Sequence, residues 1–149
     1  MRTPSKVLIV AFIGVITSCA SRQAPPPARQ PVPIRSIAIV TGDPLANAIG
    51  TELYNQGFRA FEVPPTQELT PKALQSLASR GVDAVLVVRS TKQGFDPLPQ
   101  SASVRLIRTP GGETVASPSW SRSNQAPTKT LTDIAREMVR TLLQSVPKP

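Results

Sequence analysis

The sequence of 149 residues contains no histidine and only one cysteine, Cys19. Histidine is the usual general base near neutral pH, and histidine and cysteine are the usual zinc ligands. A catalytic Cys–His pair and an ordinary zinc site are therefore excluded, and a single cysteine cannot form an internal disulfide. The nine carboxylates show no spacing that pairs two of them for acid–base catalysis. We expect a protein that is not an enzyme and that binds no metal and no cofactor.

The sequence also lacks an apolar run long enough to cross a bilayer. Residues 7–16 are apolar or glycine, whereas a transmembrane helix needs about 20 such residues. Arg2 and Lys6 precede this run, and the small residues Thr17 and Ser18 follow it. A positive segment, an apolar segment and then small residues is the order of an export signal. An export signal is therefore favoured over a permanent transmembrane anchor.

The end of this segment, Ile16-Thr17-Ser18-Cys19, resembles the lipobox of bacterial lipoproteins. The resemblance implies that residues 1–18 are a signal peptide and that Cys19 becomes the lipidated first residue. Two or three acyl chains would make this membrane attachment durable, because one chain gives only marginal binding. Ala20 stands where an inner-membrane retention signal would place Asp, so the resemblance implies the outer membrane, with the protein facing the periplasm. The alternatives are an ordinary cleavage site and a buried thiol.

Residues 19–33 are rich in proline and contain few apolar side chains. Proline favours extended polyproline II at about 3.1 Å per residue, so this segment is predicted to be a semi-rigid tether of roughly 40 Å. It would hold the following domain away from the membrane.

The charge of the chain is strongly positive. After loss of Arg2 and Lys6 with the signal, 15 of the 17 lysines and arginines remain against all 9 acidic residues, a net charge of +6. This balance favours anionic partners such as lipid headgroups, lipopolysaccharide or acidic polymers. Nucleic acid is not an expected partner of an exported protein.

Residues 34–146 are predicted to form a single α/β domain, and residues 147–149 a short tail. Continuous apolar runs predict buried strands, whereas apolar residues three and four positions apart predict helices. The expected order is β-α-β-α-β-β-β-α, an α+β two-layer arrangement with a mixed sheet of about five strands and helices mainly on one face. The predicted elements are strands over 34–40, 58–63, 82–88, 101–108 and 113–121, and helices starting near 44, 71 and 129.

Several polar residues and prolines predict local structure. Asp43 and Thr70 each precede a proline and are predicted to be helix N-caps. Asp83 is predicted to accept backbone hydrogen bonds at its own turn rather than to act as a functional carboxylate. Pro118 is predicted to turn the second hairpin arm into an edge or a bulge.

The turn glycines and core residues support a second resemblance. The chain resembles a group of envelope lipoproteins in three stretches. These are the opening Ile37-Ala38-Ile39-Val40, then Ile49, Leu53, Gly57 and Phe58 of the following helix and its exit, and then Gly81, Asp83, Ala84, Val85 and Leu86. The group comprises curli-secretion lipoproteins, activators of penicillin-binding proteins and the amino-terminal domain of the Tol-system propeller protein. The resemblance covers roughly residues 34–146 and implies the fold more than any chemistry.

An interaction surface is predicted around the hairpin. Four arginines lie at or near its strands and could form one basic patch, or could be separate solvated side chains. The only tryptophan, Trp120, could anchor an interface or pack under the closing helix. The candidate surface comprises Arg89, Arg105, Arg108, Trp120 and Arg122.

The expected function is that of a non-catalytic accessory or scaffold lipoprotein of the outer membrane. Its partner would be another envelope protein, or alternatively an anionic envelope ligand such as a peptidoglycan fragment or lipopolysaccharide. Association between copies of the chain is left open by the sequence.

Overall fold

A computed structural model describes residues 32–65, 68–92, 94, 96–122 and 129–146. The predicted signal peptide, Cys19, most of the tether and the predicted tail lie outside these residues. In chain order the elements are β1 (Ser36–Val40), α1 (Pro44–Asn55), β2 (Arg59–Val63), α2 (Pro71–Ser79), β3 (Ala84–Thr91), β4 (Ser101–Arg108), β5 (Thr114–Ala116), β6 (Ser119–Ser121) and α3 (Leu131–Gln144).

Each helix begins at a side chain that accepts a hydrogen bond from a backbone N–H of its first turn. Asp43 accepts from Leu45, and Thr70 accepts from Ala73, as the sequence predicts. Thr130 and Asp133 form a reciprocal capping box at the start of α3. Such caps stabilise a helix by about 1 kcal/mol each, because the first N–H groups have no partner inside the helix. Within the described residues, none of the helices is both long and apolar enough to cross a membrane.

The strands form one mixed sheet in the order β2-β1-β3-β4-β5, with β6 also paired to β4. β1 is parallel to both β2 and β3, whereas β4 is antiparallel to its neighbours. Parallel pairs arise where a helix connects the strands, and antiparallel pairs arise where a hairpin does. The predicted mixed α/β fold is confirmed.

Helices cover both faces of the sheet, but unequally. α1 and α3 pack on one face, which we call the α1/α3 side, against a large apolar core that includes Ile37, Leu86 and Leu106. α2 packs on the other face, the α2 side, against a smaller cluster that includes Ala38 and Val85. β1 and β3 are apolar on both faces because both faces are covered in their region. Two of the three helices thus lie on one face, in agreement with the predicted arrangement.

The predicted second arm of the hairpin is divided at Pro118, which raises the number of strands to six. Leu106 pairs with Ala116, and Ser103 pairs with Ser119, so β5 and β6 continue the same register along β4. Proline has no N–H to donate, so regular pairing stops there. Its carbonyl still accepts a hydrogen bond of 2.9 Å from the Val104 N–H. A register shift beside Ile107 bends the arm further.

Asp83 holds the beginnings of β1 and β3 together. Its carboxylate accepts hydrogen bonds from the backbone N–H groups of Arg35 at 2.8 Å and Ser36 at 2.9 Å. The prediction that Asp83 bonds its own turn is therefore wrong, because these partners are 48 and 47 residues away. Burial by itself raises the pKa of Asp83, but these bonds, the Ser36 hydroxyl and the charge of Arg108 lower the pKa below its ordinary value.

Candidate functional site

The α2 side of the sheet is open along β3 and β4. Side chains of a strand alternate between the two faces of the sheet. Val87 and Arg89 therefore lie on the same face as Val85, which is buried against α2. On β4 the same side carries Ser103, Arg105 and Ile107. Val87 and Ile107 are half-buried, whereas both arginines and Ser103 are exposed. We call this surface, with the adjacent Thr114, the basic sheet face.

The register of β3 and β4 places the two arginines close together. Val87 lies opposite Arg105, and Arg89 lies opposite Ser103, so Arg89 and Arg105 are diagonal neighbours. Diagonal side chains in an antiparallel pair have Cβ atoms about 7–8 Å apart, within reach of long side chains. The Arg105 Nη2 also donates a 3.0 Å hydrogen bond to the Thr114 Oγ1, which orients its guanidinium.

Within the described part of the chain, no carboxylate forms an ion pair with either of these two arginines. All nine aspartates and glutamates of the chain lie within the described residues. The ion pairs in this part of the chain join Arg122 to Asp96, Lys129 to Glu137, and Arg136 to both Glu52 and Asp133. The basic sheet face therefore combines uncompensated positive charge with two partly exposed aliphatic side chains, a combination suited to an acidic partner with some apolar surface.

The other three residues of the predicted surface lie elsewhere. Trp120 pairs with Ala102 and packs, half-buried, against the α1/α3-side core, which is the second of the two interpretations above. Arg122 forms a 2.6 Å ion pair with Asp96 and, with the Leu98 N–H, lowers the pKa of that carboxylate. Arg108 donates a 2.8 Å hydrogen bond to the Val32 carbonyl. The structure thus brings together only Arg89 and Arg105 of the five.

Sequence reasoning did not include Val87, Ser103, Ile107 and Thr114 in this surface. A signal for two of them, Ser103 and Ile107, was present, because β4 alternates the buried Ala102, Val104 and Leu106 with the residues of the open face. Thr114 belongs to the basic sheet face only because the register of the hairpin pairs it with Ile107.

The turn from β1 into α1 does not offer an anion site. The Asp43 carboxylate accepts the Leu45 N–H at 2.9 Å and the Ser90 hydroxyl. A negative group of the protein therefore already occupies the helix N-terminus, where a bound anion would lie. Among the described residues, no cluster of three or more acidic, histidine or cysteine side chains could hold a metal ion.

No protein-family model matches this chain, and no curated protein sequence matches it. The PelC dodecamer from Paraburkholderia phytofirmans is a similar solved structure, with 18% identity over 76% of this chain and 86% of its own, and a TM-score of 0.45. TolB from Acinetobacter baumannii has 15% identity over 78% of this chain and 30% of its own, with a TM-score of 0.48. Lipoprotein GNA1162 from Neisseria meningitidis has 17% identity over 74% of this chain and 96% of its own, with a TM-score of 0.42. Similarities this low carry no argument about the function of this chain.

Proposed function

We propose that this chain is a non-catalytic lipoprotein of the bacterial cell envelope whose α/β domain binds another envelope protein through the basic sheet face. Cys19 is the lipid attachment site in this proposal, and the domain faces the periplasm from the outer membrane. The sequence Ile16-Thr17-Ser18-Cys19 supports the anchor and the compartment.

The observation that carries the binding role is the pair Arg89 and Arg105 on an uncovered face, without a carboxylate partner. Arginine is enriched in protein interfaces, where its planar guanidinium binds carboxylates with two parallel hydrogen bonds. The aliphatic surfaces of Val87 and Ile107 lie on the same face and are only half-buried. A partner that covers this face would remove that apolar area from water and supply carboxylates to the two arginines.

The test is recovery of partners from envelope extracts with the tagged full chain and a double variant, Arg89→Glu with Arg105→Glu. We expect the double variant to lose the partners, because charge reversal places like charges against an acidic surface. Arg140→Glu is the matched control, since Arg140 is exposed on α3, on the other side of the sheet. An unchanged set of partners with the double variant would contradict the proposal.

A second candidate is an anionic envelope ligand, either a peptidoglycan fragment or lipopolysaccharide. The same unpaired arginines favour it. Exposed charges are screened beyond about 8 Å at physiological ionic strength, so such binding would weaken steeply as salt is raised. Purified lipopolysaccharide and peptidoglycan that bind the unsubstituted chain but not the double variant, with this salt dependence, would favour the ligand over the protein partner.

A further inference from the structure

Strand β2 has a free edge. Among the described residues its only sheet neighbour is β1, and it ends the strand order. The Arg59 N–H donates to the Arg35 carbonyl, and the Val63 carbonyl accepts from the Thr41 N–H. Backbone groups alternate in direction along a strand, so residues 59, 61 and 63 bond to β1. The N–H and C=O groups of Ala60 and Glu62 therefore point away from the sheet.

This free edge is symmetric about Phe61. The strand consists of Arg59–Val63, with Phe61 at its centre and one outward-directed residue on each side. Phe61 is 47% exposed, one of the few large apolar side chains of the described residues that are so open. Pro64 and Pro65 follow directly and prevent a longer edge, since proline has no N–H to pair. The pairing segment is therefore short and has a defined centre.

Space is available on both sides of this strand. On the α2 side a groove of about 560 Å³ runs beside Phe61 and is lined by Leu77, Arg80 and Val82. On the α1/α3 side a smaller groove of about 250 Å³ is lined by Asn47 and Thr51 of α1. Both faces of the strand are therefore bordered by open space.

We propose that β2 pairs antiparallel with β2 of a second copy of this chain, with Phe61 opposite Phe61 of the partner subunit. In this register the outward N–H and C=O groups of Ala60 and Glu62 of both copies form hydrogen bonds to one another. The two exposed phenylalanine rings lie side by side on the α2 side, and each is removed from water. The two sheets become continuous about a two-fold axis perpendicular to them.

The charges of the strand do not oppose this pairing. Arg59 stands at one end of β2, and Glu62 stands near the other. Arg59 lies on the α2 side with Phe61, whereas Glu62 lies on the α1/α3 side, so these two charges do not share a face. Arg59 then lies opposite Val63 of the partner subunit, and no two like charges are directly opposite, which would be destabilising. The second copy is the occupant that this edge matches, because a strand whose outward groups flank Phe61 on both sides satisfies all of those groups by pairing with itself.

The test is disulfide formation by Phe61→Cys in the full chain, produced in a bacterial host with its own signal. Directly opposite residues of a non-hydrogen-bonded pair have Cα atoms about 4.5 Å apart, within the disulfide range of roughly 4.4–6.8 Å. We expect mild oxidation to give a homodimer linked through residue 61. The unsubstituted chain shows how much cross-linking Cys19 alone produces. Tyr54→Cys shows how much cross-linking random collision gives at an exposed position, because Tyr54 is 71% exposed on α1.

Arg59→Cys tests the register. In the proposed pairing the two residues at position 59 lie four positions out of register, so they are too far apart for a disulfide. We expect this variant to cross-link no more than Tyr54→Cys does. Equal cross-linking at positions 59 and 61, no excess at 61 over Tyr54→Cys, or a linked product containing a different polypeptide would each overturn the proposal.

Glu62→Pro tests the backbone pairing without touching the contact with β1. It removes an outward N–H, and proline is tolerated on edge strands. Combined with Phe61→Cys, it is expected to reduce cross-linking to the level of Tyr54→Cys, whereas Glu62→Gln is expected to leave it unchanged. An unchanged thermal midpoint would show that the variant folds, and undiminished cross-linking in it would contradict the proposed pairing.

Discussion

Asp83 ties together two strands whose residues are far apart in sequence. Replacing it by alanine leaves the N–H groups of Arg35 and Ser36 without their acceptor. We expect Asp83→Ala to lower the free energy of unfolding by about 1–3 kcal/mol, the usual loss for hydrogen bonds to a charged group. Urea denaturation measures this loss. Glu113→Ala is the control, because Glu113 is exposed in the hairpin, and it should change stability by no more than about 0.5 kcal/mol.

The stability difference between the unsubstituted chain and Asp83→Ala is expected to depend on pH. The pKa of Asp83 is lower in the folded protein than its ordinary value of 3.8. Its contribution to stability is therefore complete above that value and is lost as the pH falls through the folded-state pKa. We expect the stability difference between the unsubstituted chain and Asp83→Ala to be constant near neutral pH and to shrink in this acidic range. A difference that grows on acidification would contradict this role.

Trp120 contributes to stability by packing against the main core, and the sequence around it is polar. It lies on the α1/α3 side with Ala102 and contacts the main core. We expect Trp120→Ala to cost about 2 kcal/mol, roughly half of the loss for a fully buried aromatic side chain. Trp120→Phe should retain most of this stability. Thermal or urea unfolding distinguishes the two variants, and an unchanged midpoint in Trp120→Ala would show that the contact contributes nothing.

At the scale of elements, the β4–β5 hairpin depends on one glycine of its turn. Gly112 has a φ of +69°, a conformation that other residues adopt at a cost of about 1–2 kcal/mol, whereas Gly111 does not have a positive φ. We expect Gly112→Ala to lower the free energy of unfolding by about that amount and Gly111→Ala to have a much smaller effect. The comparison is matched, since the two glycines are adjacent. Equal losses would contradict the assignment of strain to position 112.

Most of the secondary structure could be predicted from the sequence because its signals are local. Asp43-Pro44 and Thr70-Pro71 specify the starts of two helices, and apolar periodicity specifies the strands and the last helix. The position of Pro118 likewise indicated the break in the second arm. These signals depend on neighbouring residues and need no knowledge of the strand order.

The candidate site could be predicted only in part, because it depends on strand order and on the face that each side chain occupies. Arg89 and Arg105 are 16 residues apart and become neighbours only through the register of β3 and β4. The partners of Asp83 also come from another strand. The sequence contained no signal that β1 would lie beside β3, so these contacts required the structure.

At the scale of the whole molecule, the two proposed surfaces lie apart on one sheet. The free edge belongs to β2, whereas the basic sheet face belongs to β3 and β4, with β1 between them. Pairing through β2 would leave the basic sheet face open in both copies. Because the proposed two-fold axis is perpendicular to the sheet, both basic faces would point in the same direction. A dimer of this kind could bind two acidic sites of one assembly, which raises apparent affinity without new contacts.

The assignment to the cell envelope depends on lipid attachment at Cys19, because that attachment determines the compartment and the available partners. The most direct measurement is the mass of the processed chain from a bacterial membrane fraction, together with the fractionation of Cys19→Ala. The account predicts a chain that begins at Cys19 and carries acyl chains, and a Cys19→Ala form that no longer sediments with membranes. An unmodified Cys19, or a Cys19→Ala form that still sediments with membranes, would contradict it.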